Sequence, residues 1–174
     1  MMIALSGTPG VGKTTVSEIL RDRGHNVLDL NLLAEENDFV SGYDEKRGSK
    51  EIDVKRLKEF VMEHFTEGDF FVEGHLSHFL SVDYAIVLRC DPLILKKRLS
   101  AKGWSSTKIM ENIQAEILDV IKVEAFELLD KIYEVDTTSK VPEEAADDIL
   151  GIISGKYEEP HINWLEKYEY LLFE

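Results

Sequence analysis

A single cysteine, Cys90, leaves the chain without an intramolecular disulfide and without a cysteine-rich zinc site. That fits a reducing, intracellular compartment. Basic residues are also scarce, 20 against 34 acidic ones, for a formal net charge of -14. Such a balance excludes broad nonspecific binding to DNA or RNA phosphates. It serves solubility and leaves a basic protein partner open. No apolar run approaches the ~20 residues that span a bilayer. The first residues enter an apolar strand pattern with no charged leader before it. The expectation is a soluble, cytoplasmic protein. There is no internal repeat and no low-complexity tract.

What is present suits one domain over residues 1–174, with 44% hydrophobic residues for a packed core. Short apolar runs at residues 2–6, 26–30, 70–73, 84–89 and 131–135 read as strands. Longer stretches of helical periodicity separate them, at 13–23, 31–39, 53–65, 92–102, 107–129 and 141–153. Asp91-Pro92 supplies an N-cap followed by a first-turn proline. Residues 41–49 read as a polar loop, and residues 162–173 as an amphipathic tail with Trp164, Leu165, Tyr168, Leu171 and Leu172 on one face. Strand–helix alternation predicts an α/β fold: a three-layer αβα sandwich around a five-stranded parallel sheet.

The first strand runs into Gly7-Thr8-Pro9-Gly10-Val11-Gly12-Lys13-Thr14-Thr15 and then a helix. A Gly-x4-Gly-Lys-Thr run between strand and helix is the phosphate-binding P-loop. Glycines let successive N–H groups point at one anion, and the helix N-terminus adds partial positive charge. Gly7, Pro9, Gly10, Val11 and Gly12 form the cradle for ATP. Lys13 reaches the β- and γ-phosphates, the Thr14 hydroxyl ligates Mg2+, and Thr15 donates to the α-phosphate. Guanine specificity is not expected. There is no Asn-Lys-x-Asp base reader, and the lone Asp-x-x-Gly, at residues 148–151, lies late in a helix.

P-loop chemistry also needs an acidic group at a neighbouring strand end. Glu73, where an apolar strand meets Gly74, is the candidate for the metal shell or a catalytic water. His75 lies on the same side of an extended chain, and its ordinary titration range lets it exchange a proton near neutral pH. His78 either shares this site or lies on the next turn. Cationic candidates for the transferring phosphoryl group are Arg89, Arg98, Lys102 and Lys108. Arg98 and Lys102 are favoured as ATP-facing, and each reads equally as a solvated helix charge. Asn112 and Glu116 share a helix face and are candidates to brace the lid.

Four segments together carry a more selective resemblance: the P-loop, Gly42-Tyr43-Asp44-Glu45, Glu73-Gly74-His75, and the run from Lys108 through Glu111-Asn112-Ile113 to Ala115-Glu116-Ile117. Over residues 3–153 the chain resembles the adenylate kinase isoenzyme six family, which includes archaeal adenylate kinase-like proteins and a eukaryotic nuclear ATPase of ribosome assembly. The resemblance implies AMP phosphorylation and ATP hydrolysis with ATP and Mg2+. It implies a monophosphate-binding segment at about residues 28–51, with Asp29, Tyr43, Asp44 and His75 as acceptor-binding residues. It further implies a lid at about 101–111, a nucleotide contact at Lys140, and a basic small-subunit ribosomal protein as partner. Tyr43 and Asp44 read equally as a surface turn. The chain departs from the family pattern in three ways. Glu35 stands where some members have arginine, Lys102 stands at a lid position that is often arginine, and the Gly-Phe-Pro-Arg acceptor motif of ordinary adenylate kinases is absent. An anion at Glu35 would repel the phosphate of AMP.

Overall fold

The computed structural model describes residues 1–44 and 49–173. In chain order the elements are β1 (Met2–Ser6), α1 (Lys13–Asp22), β2 (Asn26–Asp29), α2 (Leu30–Glu36), β3 (Val40–Asp44), β4 (Ser49–Ile52), α3 (Val54–His64), β5 (Phe70–Glu73), β6 (Tyr84–Arg89), α4 (Pro92–Ala101), α5 (Ser106–Ile117), α6 (Val120–Leu128), β7 (Ile132–Asp136), α7 (Pro142–Ile153) and α8 (Trp164–Tyr168). No helix among the described residues is long and apolar enough to cross a membrane.

The main sheet has five parallel strands in the order β2-β5-β1-β6-β7. From β1 the chain goes to the edge strand β2, returns to β5 between them, and then crosses to β6 and β7 on the other side. The switch point, where ligands bind in open α/β sheets, therefore lies at the C-terminal end of β1. Ser6, Asp29, Glu73, Arg89 and Asp136 are the last residues of the five strands, so the chemistry-bearing side chains emerge along one edge.

Strand alternation divides the core. Ile3 and Leu5 of β1, with Ile86 and Leu88 of β6, face one layer containing Val16, Leu20, Leu95, Leu99, Ile113 and Ile149. Ala4 and Ala85 point the opposite way and let Ala125 of α6 pack closely. Leu57 and Val61 of α3 join Leu30 and Val72 in a third cluster. Leu93 and Ile94 donate to the Asp91 carboxylate at the start of α4, as the Asp-Pro pair predicts. Tyr168 and Leu171 bury the tail against the main core. The Tyr168 hydroxyl and Lys167 both hold the second oxygen of Asp91.

Two sequence expectations change. The loop expected at 41–49 takes in most of β3 and the first residue of β4, strands that pair antiparallel with Tyr43 opposite Lys50. Residues 45–48, including Glu45 of the acceptor-loop motif, lie outside the described residues. The helix expected at 107–129 is two helices, broken where Asp119 adopts a left-handed backbone with φ of 56°. At the break the Glu116 carbonyl accepts from Arg89 Nη2 at 3.0 Å and, in a tighter turn than the α-helix, from the Asp119 N–H at 3.4 Å.

Candidate active site

A cleft of about 740 Å³ opens over the end of β1. Its floor is the P-loop. Gly7 and Gly10 hold it down, because their backbones need positive φ of 138° and 94° and have no room for a side chain. A Cβ on Gly7 would lie 2.5 Å from the Leu88 carbonyl oxygen, and one on Gly10 would lie 2.7 Å from Leu99. Pro9, Gly10, Val11, Gly12, Lys13, Thr14 and Thr15 all line the cleft, whereas Gly7 supports it from below. The first turn of α1 faces the opening with unpaired N–H groups.

Lys13 is buried, and its ammonium donates to the Gly7 carbonyl at 2.6 Å and the Thr8 carbonyl at 3.2 Å. Burial pulls its pKa down to about 8 against the support of the Glu73 and Glu116 carboxylates. Glu73 lies across from it at the end of β5 and accepts from the Thr14 hydroxyl at 3.3 Å. Burial, then the neighbouring Asp29 charge, raises the Glu73 pKa. Two oxygen donors side by side on the cleft wall suit a small hard cation whose other ligands are phosphate oxygens and water.

His75 lines the cleft, but not as a proton exchanger near neutral pH. Burial, then the Lys13 charge and His78, lowers its pKa to about 4. The ring is therefore neutral at physiological pH. His78 does not share the cleft. Its ring lies buried between the Ser6 hydroxyl at 3.1 Å and Glu124 at 3.2 Å, and burial lowers its pKa to about 4 as well. An unfolded chain titrates these rings at the ordinary 6.5, so between 6.5 and about 4 it binds more protons than the folded one. The histidine contribution to stability is thus complete above 6.5 and is lost as pH falls toward 4. Glu73, with its raised pKa, acts in the opposite sense above its ordinary value of 4.5. A His78→Asn comparison isolates the histidine effect. The melting temperature of the parent should fall more steeply between about pH 7 and about pH 5 than that of His78→Asn. Equal slopes would refute this assignment.

The expected cations separate. Arg98 lines the cleft as neither a free cation nor a solvated charge. It donates to the Val11 carbonyl at 3.3 Å and the Thr137 carbonyl at 2.8 Å, joining the P-loop to the loop after β7. Lys102 lines the opposite wall, close enough for its charge to lower the pKa of Lys13. Lys140 lines the cleft and pairs with Asp148. The Lys108 ammonium sits 4.1 Å over the Trp104 ring.

Arg89 leaves the site altogether. It is 1% exposed and pairs with Glu116, Asp119 and Glu134. Burial opposes its charge, but these carboxylates outweigh that and raise its pKa. Breaking such a cluster leaves uncompensated buried carboxylates. An Arg89→Met substitution should therefore cost about 3–5 kcal/mol of unfolding free energy, read by denaturant titration. A loss within the error of the titration would contradict the pairing.

Of the four acceptor candidates, His75 lines the cleft and the other three do not. The Asp29 carboxylate caps α2, accepting from the Asn31 and Leu32 N–H groups. Tyr43 is 61% exposed, and neither it nor Asp44 lines the cleft. Glu35 pairs with Lys50 at 2.7 Å, which offsets the charge expected to repel a phosphate. The Asn112 amide turns back to the Lys108 carbonyl on its own helix, so only Glu116 of that pair braces the core. The lid range 101–111 comprises the end of α4, a turn at 102–105, and the first half of α5.

Val16, Asn31, Ala101, Trp104, Thr137, Pro142 and Ala145 complete the lining. Thr137 and Pro142 follow the last strand, where a second loop meets the P-loop, and that position was a usable signal. The place of Asn31 depends on how β2 lies against β5, and its own sequence carries no signal.

An AAA domain family model matches residues 3–119. The chain is 44% identical, over all of its length and 99% of the relative, to a Methanocaldococcus jannaschii protein named "Putative adenylate kinase". It is 43% identical to an Archaeoglobus fulgidus protein of the same name, over 97% of this chain and 94% of that one. Among solved structures, shikimate kinase from Acinetobacter baumannii in complex with shikimate superposes with a TM-score of 0.62 at 19% identity, covering 90% of this chain and 95% of that one. Shikimate kinase from Bacteroides thetaiotaomicron gives 0.58 at 16% identity, covering 88% and 98%. At these identities the structural likeness speaks for the P-loop kinase fold.

Proposed function

The chain belongs to the AAA-domain family of P-loop proteins that includes the archaeal proteins named "Putative adenylate kinase", and from that premise we propose that it transfers the γ-phosphoryl group of MgATP to a nucleoside monophosphate, AMP first, and slowly to water. One observation carries the reading. The P-loop, the Glu73–Thr14 pair, His75 and the Lys102 wall converge on a single cleft.

In this reading the first-turn N–H groups of α1 and the P-loop backbone bind the triphosphate. Lys13 exchanges its Gly7 and Thr8 carbonyls for the β- and γ-phosphate oxygens. Phosphate charge beside it restores the ammonium that burial disfavours. A Mg2+ ion held in the cleft would supply positive charge to the phosphates during transfer. Thr14 and Glu73 are the residues that would hold it. Glu73 also orients a water acceptor, and neutral His75 offers one ring nitrogen to the monophosphate or the water. Arg98 keeps the P-loop and the β7 loop in register, and Lys102 and Lys140 flank the nucleotide. Residues 101–111 act as a short lid that excludes water, and residues 28–51 receive the monophosphate. The acceptor-binding roles of Asp29, Tyr43 and Asp44 require that segment to move toward the cleft.

Incubation with MgATP and each of AMP, CMP, GMP and dAMP tests the assignment. ADP formation should require a monophosphate and consume it, fastest for AMP. Phosphate release that ignores every monophosphate would overturn it. A second reading, an ATP-switched assembly factor gripping a basic small-subunit ribosomal protein, rests on the net charge of -14. A stoichiometric small basic protein copurifying from the native host would favour that reading.

A further inference from the structure

The buried carboxylate of Glu116 has a second task beyond pairing Arg89. Glu116 is 2% exposed, and a carboxylate removed from water needs both oxygens occupied. Its Oε1 accepts from Arg89 Nε at 2.9 Å and from the Cys90 N–H at 3.1 Å. Its Oε2 accepts from the Thr8 hydroxyl at 2.6 Å. Thr8 is likewise 2% exposed and is the second residue of the P-loop. Thr8 thus faces two ways. Its hydroxyl is fixed to α5, while its carbonyl holds the Lys13 ammonium at 3.2 Å. An O–H donating to an ion at this distance is a charge-assisted bond, about twice as strong as a neutral one. Arg89 orients the acceptor from the far side. It binds the Glu116 side chain and main-chain carbonyl together, with Asp119 and Glu134 completing the ring.

We propose that Glu116 is a positioning residue for the phosphate loop. Through the Thr8 hydroxyl it fixes the loop backbone in its anion-receiving shape before nucleotide arrives. The Glu116 charge also supports the Lys13 ammonium, second after Glu73, so the same carboxylate prepares both loop and lysine. The inference rests on MgATP being the nucleotide of the proposed reaction.

Thr8→Val tests the link while leaving every charged side chain of the ion cluster in place, because it exchanges the hydroxyl for a methyl of similar size. Thr8→Ser keeps the hydroxyl and serves as the rescue. Two readouts apply: MgATP affinity by calorimetric titration, and hydrogen exchange of the amides of residues 7–14 without nucleotide. A lost hydrogen bond to a charged group corresponds to roughly a tenfold weaker MgATP affinity. In Thr8→Val the P-loop amides should also exchange faster than in the parent, with the remaining strands unchanged, and Thr8→Ser should restore both. Glu116→Gln should reproduce the Thr8→Val pattern. Its amide either turns its NH2 toward the Arg89 and Cys90 donors to accept from Thr8, or donates that NH2 to the Thr8 oxygen in a neutral bond without the charge assistance. Parent-like affinity and exchange in Thr8→Val would overturn the proposal. So would faster exchange spread over the whole molecule that Thr8→Ser fails to reverse. A parent protein that binds no MgATP sinks the kinase reading alone, and the exchange comparison then decides the anchor by itself.

Discussion

Lys13→Met is expected to lower phosphoryl transfer by about 10²–10³-fold, the scale on which a preorganised electrostatic donor acts. The same substitution should leave the melting temperature equal or raise it. The ammonium is buried, and its pKa is pulled down to about 8, so the fold disfavours the charge that the chemistry needs. Methionine keeps the apolar stem and removes the cost of burial. Opposite movements of activity and stability mark a group retained for function. Steady-state turnover and thermal unfolding on one preparation check both halves. Loss of activity together with a large loss of stability would instead make Lys13 a structural member of the loop.

Glu73→Gln is expected to reduce turnover on the order of 10²-fold or more, within the range for a positioned carboxylate in proton transfer or water orientation. Stability should again hold or rise, for a related reason. Burial and the nearby Asp29 charge raise the Glu73 pKa, so the neutral amide suits the folded protein better than the carboxylate. The amide can still accept from the Thr14 hydroxyl, so local geometry survives while the charge is lost. Turnover close to the parent value would remove Glu73 from the reaction and leave it a strand-end cap.

The contrast with Arg89 shows where sequence reading stopped. Both Glu73 and Arg89 end a strand at the same sheet edge, and by position each is a catalytic candidate. What separates them is the set of neighbours brought by α5, the turn after it and β7, whose carboxylates Glu116, Asp119 and Glu134 enclose Arg89. Arg89 also holds the Glu116 carbonyl and the Asp119 carboxylate at the break between α5 and α6, where helical periodicity continues unchanged through the residues. Neither outcome is written in local propensity, because the contacts to Glu116 come from a side chain 27 residues away.

The P-loop, by contrast, was legible, since Gly7 and Gly10 need positive φ and close approach wherever this spacing follows a buried strand. The five strands were legible because each is a short apolar run, three of them with continuous burial at their core. The β3–β4 hairpin was not. Its exposed, polar alternation around Gly42 reads as a turn until the pairing with residues 49–52 is seen. His75 was found by its spacing from Glu73, but its neutral state follows from burial and from Lys13.

The central claim, reversible transfer between nucleotides within one cleft, is tested most directly by running the reaction backward. Purified protein is given ADP and Mg2+ with no other nucleotide, and the products are separated over time. The proposed activity predicts ATP and AMP appearing in equal amounts from two ADP molecules, with Lys13→Met inert. Persistence of ADP, in a protein that still hydrolyses ATP, would contradict the kinase assignment and leave an ATPase.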